Sequence, residues 1–472
     1  MQPEMIVLPE HLGSSGFRNR HRLTYAYLAG SMYKGIASKE LVVRMGKGGL
    51  LGFLGTGGLK LERIEADLLY IQRELRDQGV YGLNLLASPM QPELEEATVD
   101  LYLRHKVPRI EAAAFTQITV SLVHYRAKCL TQNRDGTVRI PNRILAKVSR
   151  PEVAEQFLSP PPETLLQRLV ESGKIDNLEA QLARRLPMAD ELCVEADSAG
   201  HTDRGVLHTL LPVMLRLRDK VVGGRDYPIP VYVGAAGGIG TPEAIAAAFI
   251  LGADFVLTGS INQCTVEAGT SDAVKDLLQD ANVQDMDIVP AGDMFEFGSK
   301  VQVFKKGLLF PARAKKLYDL YRQYESLEQL DEQTRAQLEK RYFKRSFAEI
   351  FAETKEHYLR VAPEAIRRAE RDPKQKMALV FRWYFIHTNR LALRGDPAEK
   401  VDYQIHCGPA LGAFNQWVNG TELENWRSRH VDEIARLLML GTARLLNDRF
   451  RALGALAVSE SPAQTDPVYA HR

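Results

Sequence analysis

Residues 229–260 read IPVYVGAAGGIGTPEAIAAAFILGADFVLTGS, and no other stretch restricts the fold as much. The run 229–235 is a strand pattern without a polar face. Gly237 and Gly238 permit a tight turn and let a ligand approach the backbone. Thr241 is a good N-cap, and Pro242 suits the first helical position. Residues 244–251 then make a compact helix, Gly252 stops it, and 253–258 form the next strand, ending in Gly259-Ser260. Two strands joined by one helix in so few residues make a minimal βαβ unit.

The alternation extends over residues 40–310. Strand patterns are expected at 41–45, 81–86, 109–113, 143–148, 191–195, 231–235 and 255–258, with an eighth inside 287–303. Several are continuous apolar runs, as in parallel strands covered on both faces. Helical spacing marks 63–78, 93–105 and 204–219. Eight such units close a TIM (β/α)8 barrel; six would make an open doubly wound sheet, the competing reading. Residues 159–185 look like an insertion between two barrel strands. After about 312 the chain is charged, aromatic and helical, which suggests an added helical region. The expected division is a barrel over 1–320, a helical lid and substrate region over 321–455, and a tail over 456–472.

Charge excludes some partners. Sixty-one basic and 59 acidic residues leave a net charge of +2, so no global attraction to nucleic acid or an anionic membrane is expected. The four cysteines are widely spaced, without a metal or redox pairing, and read as free thiols in a reducing compartment. The N-terminus lacks a signal-peptide pattern, and Glu243 and Asp254 interrupt the most apolar stretch. A soluble cytoplasmic protein is the expectation.

The two glycine turns sit at the C-terminal ends of neighbouring strands. Exposed N–H groups and a helix N-terminus there suit a phosphate without any cationic side chain. GAAGGIG does not match the dinucleotide fingerprint G-x-G-x-x-G. Seven glycines in 43–58 suggest close approach of a flat ligand or of a helix. Asn84, in GLNLL, needs a partner, either an aromatic heterocycle or a backbone carbonyl. Glu111 and Lys147 lie in apolar strand patterns, so they either face the barrel mouth or pair with each other. His201 follows a strand in EADSAGHTDR, where barrels carry catalytic groups, and histidine moves protons near neutrality. No convincing metal site, P-loop or nucleophile elbow is present.

Together these elements resemble the FMN-dependent flavoproteins of the nitronate monooxygenase (2-nitropropane dioxygenase) superfamily. Within it, the chain is similar to the PfaD-type trans-acting enoylreductases of polyketide and polyunsaturated fatty acid synthases. The matching stretches are MGKGGLLGFLGTGGL (45–59), GLNLLASPMQPELEEATVDLYL (82–103), ILAKVSRPEVAEQFL (144–158), EADSAGHTD (195–203), the whole of 233–260, FPARAKKLYDLY (310–321), KMALVFRWY (376–384) and VDYQIHCGPALGAFNQW (401–417). The resemblance implies FMN at the C-terminal mouth of a TIM barrel, with its phosphate on Gly237, Gly238 and Gly259-Ser260. It implies Met45 and Gly46 beside the isoalloxazine, Asn84 and Lys147 on flavin polar atoms, Glu111 among the cofactor-binding residues, and His201 as the active-site histidine. The superfamily often carries Gly-Gly before that histidine; this chain has Ala199-Gly200.

The implied reaction is NADPH-driven reduction of an α,β-unsaturated thioester on an acyl carrier protein, with His201 as proton donor or orienter and Lys147 or solvent as alternatives. Lys305, Lys306, Arg313, Lys315 and Lys316 are candidates for a basic rim that docks an acidic carrier. A homodimer is plausible. The rival readings are a nitronate-type flavin oxidase and a non-catalytic scaffold within a synthase assembly.

Overall fold

The computed structural model describes residues 7–76, 79–89, 91–201 and 203–457. Asp77 and Gln78, expected to end a helix, and residues 458–472 of the expected tail lie outside the described residues. Eight parallel strands close a barrel: β1 (Tyr27–Ala29), β2 (Leu51–Leu54), β3 (Tyr81–Leu86), β4 (Arg109–Ala113), β5 (Arg143–Val148), β6 (Glu191–Glu195), β7 (Tyr232–Ala236) and β8 (Val256–Thr258). Each strand pairs with its neighbour in sequence, and β8 pairs with β1. The fold is a TIM barrel rather than an open sheet. Leu28, Phe53, Leu145, Cys193, Phe255 and Leu257 fill its interior, with Phe17 in the same cluster.

Two strand expectations fail. Residues 41–45 belong to helix α1 (Lys39–Lys47). Ser38 caps it by accepting from the Leu41 N–H, and Leu41, Val42 and Met45 make one buried face. The β-branched Val42-Val43 pair imitates a strand. The stretch 287–303 supplies no barrel strand either; it forms an antiparallel hairpin, β9 (Met286–Pro290) with β10 (Lys300–Phe304). The strands that complete the barrel are β1 and β2, only three and four residues long.

The outer layer contains α1, α2 (Leu61–Leu75), α3 (Pro92–Arg104), α4 (Val120–Ala127), α5 (Pro151–Leu158), α6 (Leu207–Gly223) and α7 (Pro242–Ile250). The insertion between β5 and β6 folds into two short helices over 163–171 and 177–183. Beyond the hairpin come α8 (Phe310–Gln323), α9 (Phe347–Val361), α10 (Pro373–Arg394) and α11 (Val431–Ala457). Residues 289–385 build a second hydrophobic core, with Phe295, Phe310, Phe343, Phe381 and Tyr384 at its centre. The chain then returns: Tyr403, Leu411, Phe414 and residues of α11 belong to the barrel's core, and α11 packs on α7 and α1. The expected boundary at 320/321 falls inside α8, and the expected region 321–455 contributes to both cores. No helix among the described residues is long and apolar enough to cross a membrane. The four cysteines are free.

The closed end of the barrel carries a buried ionic network. Arg20 and His21 both reach Glu191 at 2.9 Å, and Arg109 donates to His21 Nδ1. Asp190, fully buried, holds Arg126 at 2.6 Å and Arg143 at 2.9 Å and accepts from the Ile144 N–H. Burial opposes ionisation of Asp190, but the guanidinium groups hold its carboxyl below the usual range. Removing one partner strands the others in a dry interior. Asp190→Asn is expected to cost about 3 kcal/mol of stability, read as a lower midpoint in urea unfolding. An unchanged midpoint would show the network to be dispensable.

Candidate active site

Loops at the C-terminal ends of the strands form the open mouth, where TIM barrels place their chemistry. Asn84, Glu111 and Lys147 stand on β3, β4 and β5 near this end. Glu111 is fully buried; it accepts from Ser31 N–H at 3.0 Å and from Ser31 Oγ at 2.6 Å. Lys147 lies 3.7 Å from Glu111 and 2.8 Å from Glu195. The pairing of Glu111 with Lys147, open from sequence, is therefore present, and Glu195 joins it. Burial lowers the Lys147 pKa, but the two carboxylates outweigh it and raise it above the ordinary lysine value. Such an ammonium is a fixed charge and hydrogen-bond donor, unsuited to releasing a proton. Asn84 Nδ2 donates to the Glu111 carbonyl, the backbone partner considered above, and a Cβ on Gly57 would lie 3.7 Å from Asn84 Oδ1.

The glycine turns leave a hollow. Gly238 (φ +71°) and Gly259 would each carry a Cβ with nothing within 4 Å, so space lies over both bends. Gly237 (φ +86°) is different: a Cβ there would sit 2.6 Å from the Asp197 backbone, so only glycine lets the β7 loop lie against the β6 loop. Thr241 accepts from the Ala244 N–H and caps α7 as expected. Ser260 Oγ accepts from the Gly408 N–H at 2.9 Å, so the returning segment 403–410 closes one side of the hollow.

Met45 and Gly46 are not at the mouth. They lie near the end of α1, which runs antiparallel to the strands and returns the chain to the start of β2. Met45 is fully buried, and a Cβ on Gly46 would strike Leu75 and the Val80 carbonyl, just before β3 begins. These two residues pack a helix against the barrel; their expected place beside a flavin ring is corrected.

His201 occupies the loop after β6. Its Nε2 lies 2.9 Å from Asp293 Oδ1, in the loop between β9 and β10. The Asp293 hydrogen bond raises the imidazole pKa, against a smaller opposing effect of burial. Gln302 on β10 donates to Asp197 Oδ1 and to the Ser198 carbonyl, and its N–H donates to the Ala199 carbonyl at 3.2 Å. His406 is pushed down to about 4 by burial and stays neutral, accepting at Nε2 from Gln404. The histidine loop is thus clamped by the hairpin and by the 403–408 segment. Ser31, Asp293, Gln302 and His406 were missed from sequence. Gln302 had a signal, a polar residue inside KVQVF; Asp293 had none.

The expected basic rim is largely occupied. Lys315 pairs with Asp287, Arg313 with buried Asp402, and Lys306 with the Asp280 carbonyl and Asp285.

The sequence profile described as nitronate monooxygenase matches residues 19–297, more than half of the chain. The chain belongs to the nitronate monooxygenase family. A second profile, the inserted helical domain of acyl-carrier-protein S-malonyltransferase, matches residues 324–403 of this family member. Its structure is similar to that of the enoyl reductase domain of MlnA from Bacillus amyloliquefaciens, with TM-score 0.90 and 46% identity over 94% of this chain and 99% of that one. Polyketide biosynthesis protein PksE of Bacillus subtilis is 57% identical over 95% of the chain. Polyketide biosynthesis protein ThaF of Burkholderia thailandensis is 53% identical over 94%. A component of the polyunsaturated fatty acid synthase of a Thraustochytrium species is 46% identical over 89%. The chain spans 58%, 38% and 28% of the lengths of these three relatives, in that order.

Proposed function

We propose that this chain is an FMN-dependent enoyl reductase that uses NAD(P)H to reduce α,β-unsaturated acyl thioesters on an acyl carrier protein, in polyketide or polyunsaturated fatty acid synthesis. The observation that carries the reading is the joint presence, around one barrel mouth, of open space over two glycine bends and a carboxylate-bound imidazole. The likeness to MlnA's domain supports the choice of substrate class.

The residues fit the cofactor. Gly238 and Gly259 leave room that suits a phosphate, with the α7 N-terminus beside it. Lys147 offers a permanent positive charge and Asn84 an amide to a heterocycle's polar edge. FMN, when bound, supplies hydride chemistry between NAD(P)H and the β-carbon of the enoyl group. The protein supplies position and charge. Lys147 stays protonated between Glu111 and Glu195 and orients by hydrogen bonding. His201 donates a hydrogen bond to the thioester oxygen or a proton to the α-carbon, where negative charge develops. The helical unit and the 403–410 segment border the mouth and restrict water at the reacting atoms.

The family profile favours one second reading, a nitronate oxidase in which His201 abstracts a proton. NADPH consumption with a crotonyl thioester, compared with oxygen uptake with an alkyl nitronate, separates the two. The first reading expects turnover only with the thioester; turnover only with the nitronate would replace it.

A further inference from the structure

Asp293 comes to His201 from a different part of the molecule. It is carried on the 291–299 loop of the β9–β10 hairpin, not on a barrel strand. Its neighbours fix that loop into the second core. Phe295 is fully buried and meets Tyr318, Tyr321, Phe381 and Phe385. Glu296 pairs with Arg382 of α10. A Cβ on Gly292 would fall 2.4 Å from Phe385 Cβ, so backbone and ring are in close contact. Between these anchors Asp293 keeps a largely exposed side chain and directs Oδ1 to His201 Nε2 at 2.9 Å.

We propose that Asp293 is a positioning residue for His201: the hairpin delivers a carboxylate that fixes the imidazole through Nε2 as its counter-charge and leaves Nδ1, which has no partner among the described residues, to meet the ligand. The inference rests on the enoyl-reductase reading for its role in the reaction, but not for the ion pair itself. It also ties the chemistry to assembly, because the barrel supplies the histidine and the hairpin its counter-charge. The other charged or titratable groups around the imidazole do not replace Asp293. Glu195 on β6 acts in the same direction but more weakly. His406, from the 403–408 segment, is neutral. Asp203, two residues on, is held by Arg150 and Ser149. Tyr33, from the loop after β1, has its pKa raised by burial and, less, by Asp293. A carboxylate at hydrogen-bond distance stabilises a protonated imidazole, and loss of an opposite charge shifts such a group by about 1–3 pH units.

The sign follows. A proton donor works below its pKa, so activity falls as pH rises through the raised His201 value. Asp293→Asn keeps the shape and removes the charge, so this alkaline limb moves to lower pH. The test has two readouts. Histidine NMR of the flavin-free 472-residue chain gives the His201 midpoint, with the signal assigned by its loss in His201→Gln. The holoenzyme gives kcat/KM for a crotonyl thioester against pH.

The expected result is a midpoint lowered by about one unit or more in Asp293→Asn, restored in Asp293→Glu, with an equal shift of the alkaline limb. An unshifted midpoint would overturn the pair. A shifted midpoint with an unmoved limb would overturn its part in the reaction. If the wild type reduces no enoyl thioester while the midpoint still shifts, the ion pair stands and the functional reading falls.

Discussion

Replacing Gly259 with aspartate is expected to leave the barrel folded and to abolish retention of FMN. The position tolerates a side chain: its φ is −131°, outside the left-handed region, and a Cβ meets nothing within 4 Å. The new carboxylate would occupy the hollow assigned to the phosphate. Two like charges about 4 Å apart at an effective dielectric of about 20 repel by roughly 4 kcal/mol. That corresponds to about a thousandfold weaker binding. Titration of the flavin-free variant with FMN, followed by fluorescence, reads this directly, while an unchanged Tm without ligand shows an intact fold. An unchanged Kd would remove the hollow from the binding site. Gly237 is a poorer test, because its φ of +86° and its contact with Asp197 make any side chain a folding defect.

His201→Gln should slow the reaction of chemically reduced holoenzyme with a crotonyl thioester by about 10²–10⁴-fold, the usual contribution of a positioned acid. Glutamine keeps a hydrogen-bonding side chain but cannot carry the proton. Reduction by NADPH should change little, because no proton needs to reach a substrate carbon in that half. Stopped-flow absorbance measures the halves separately. Wild-type rates in both would exclude the imidazole from the reaction, and equal losses in both would point to a disturbed cofactor site instead.

Much of the barrel was legible because parallel strands covered on both faces are continuous apolar runs. β3 to β6 were expected with the bounds they have, and β7 and β8 to within a residue. The short β1 and β2 were not. Tyr27–Ala29 is too brief to show a period, and Leu51–Leu54 lies among glycines that suggested a loop. Their places went to Leu41–Met45, whose apolar spacing serves helix and strand alike, and to a hairpin whose valines face the second core.

The site divides along the same line. His201, Lys147 and the glycine bends are marked by strand ends and by residue types unusual for their surroundings. Asp293 lies 92 residues from its partner, on a loop aimed only by the packing of Phe295 and Glu296. Local pattern holds no trace of such an arrangement. Met45 and Gly46 show the converse: a glycine-rich motif marked a tight helix–strand contact, not a ligand surface.

The central claim is best tested by anaerobic reoxidation. The 472-residue chain loaded with FMN is bleached with one equivalent of NADPH and mixed with a crotonyl thioester. The account predicts that the yellow colour returns, with one butyryl thioester formed per flavin. Bleached protein that stays colourless until oxygen is admitted would contradict it.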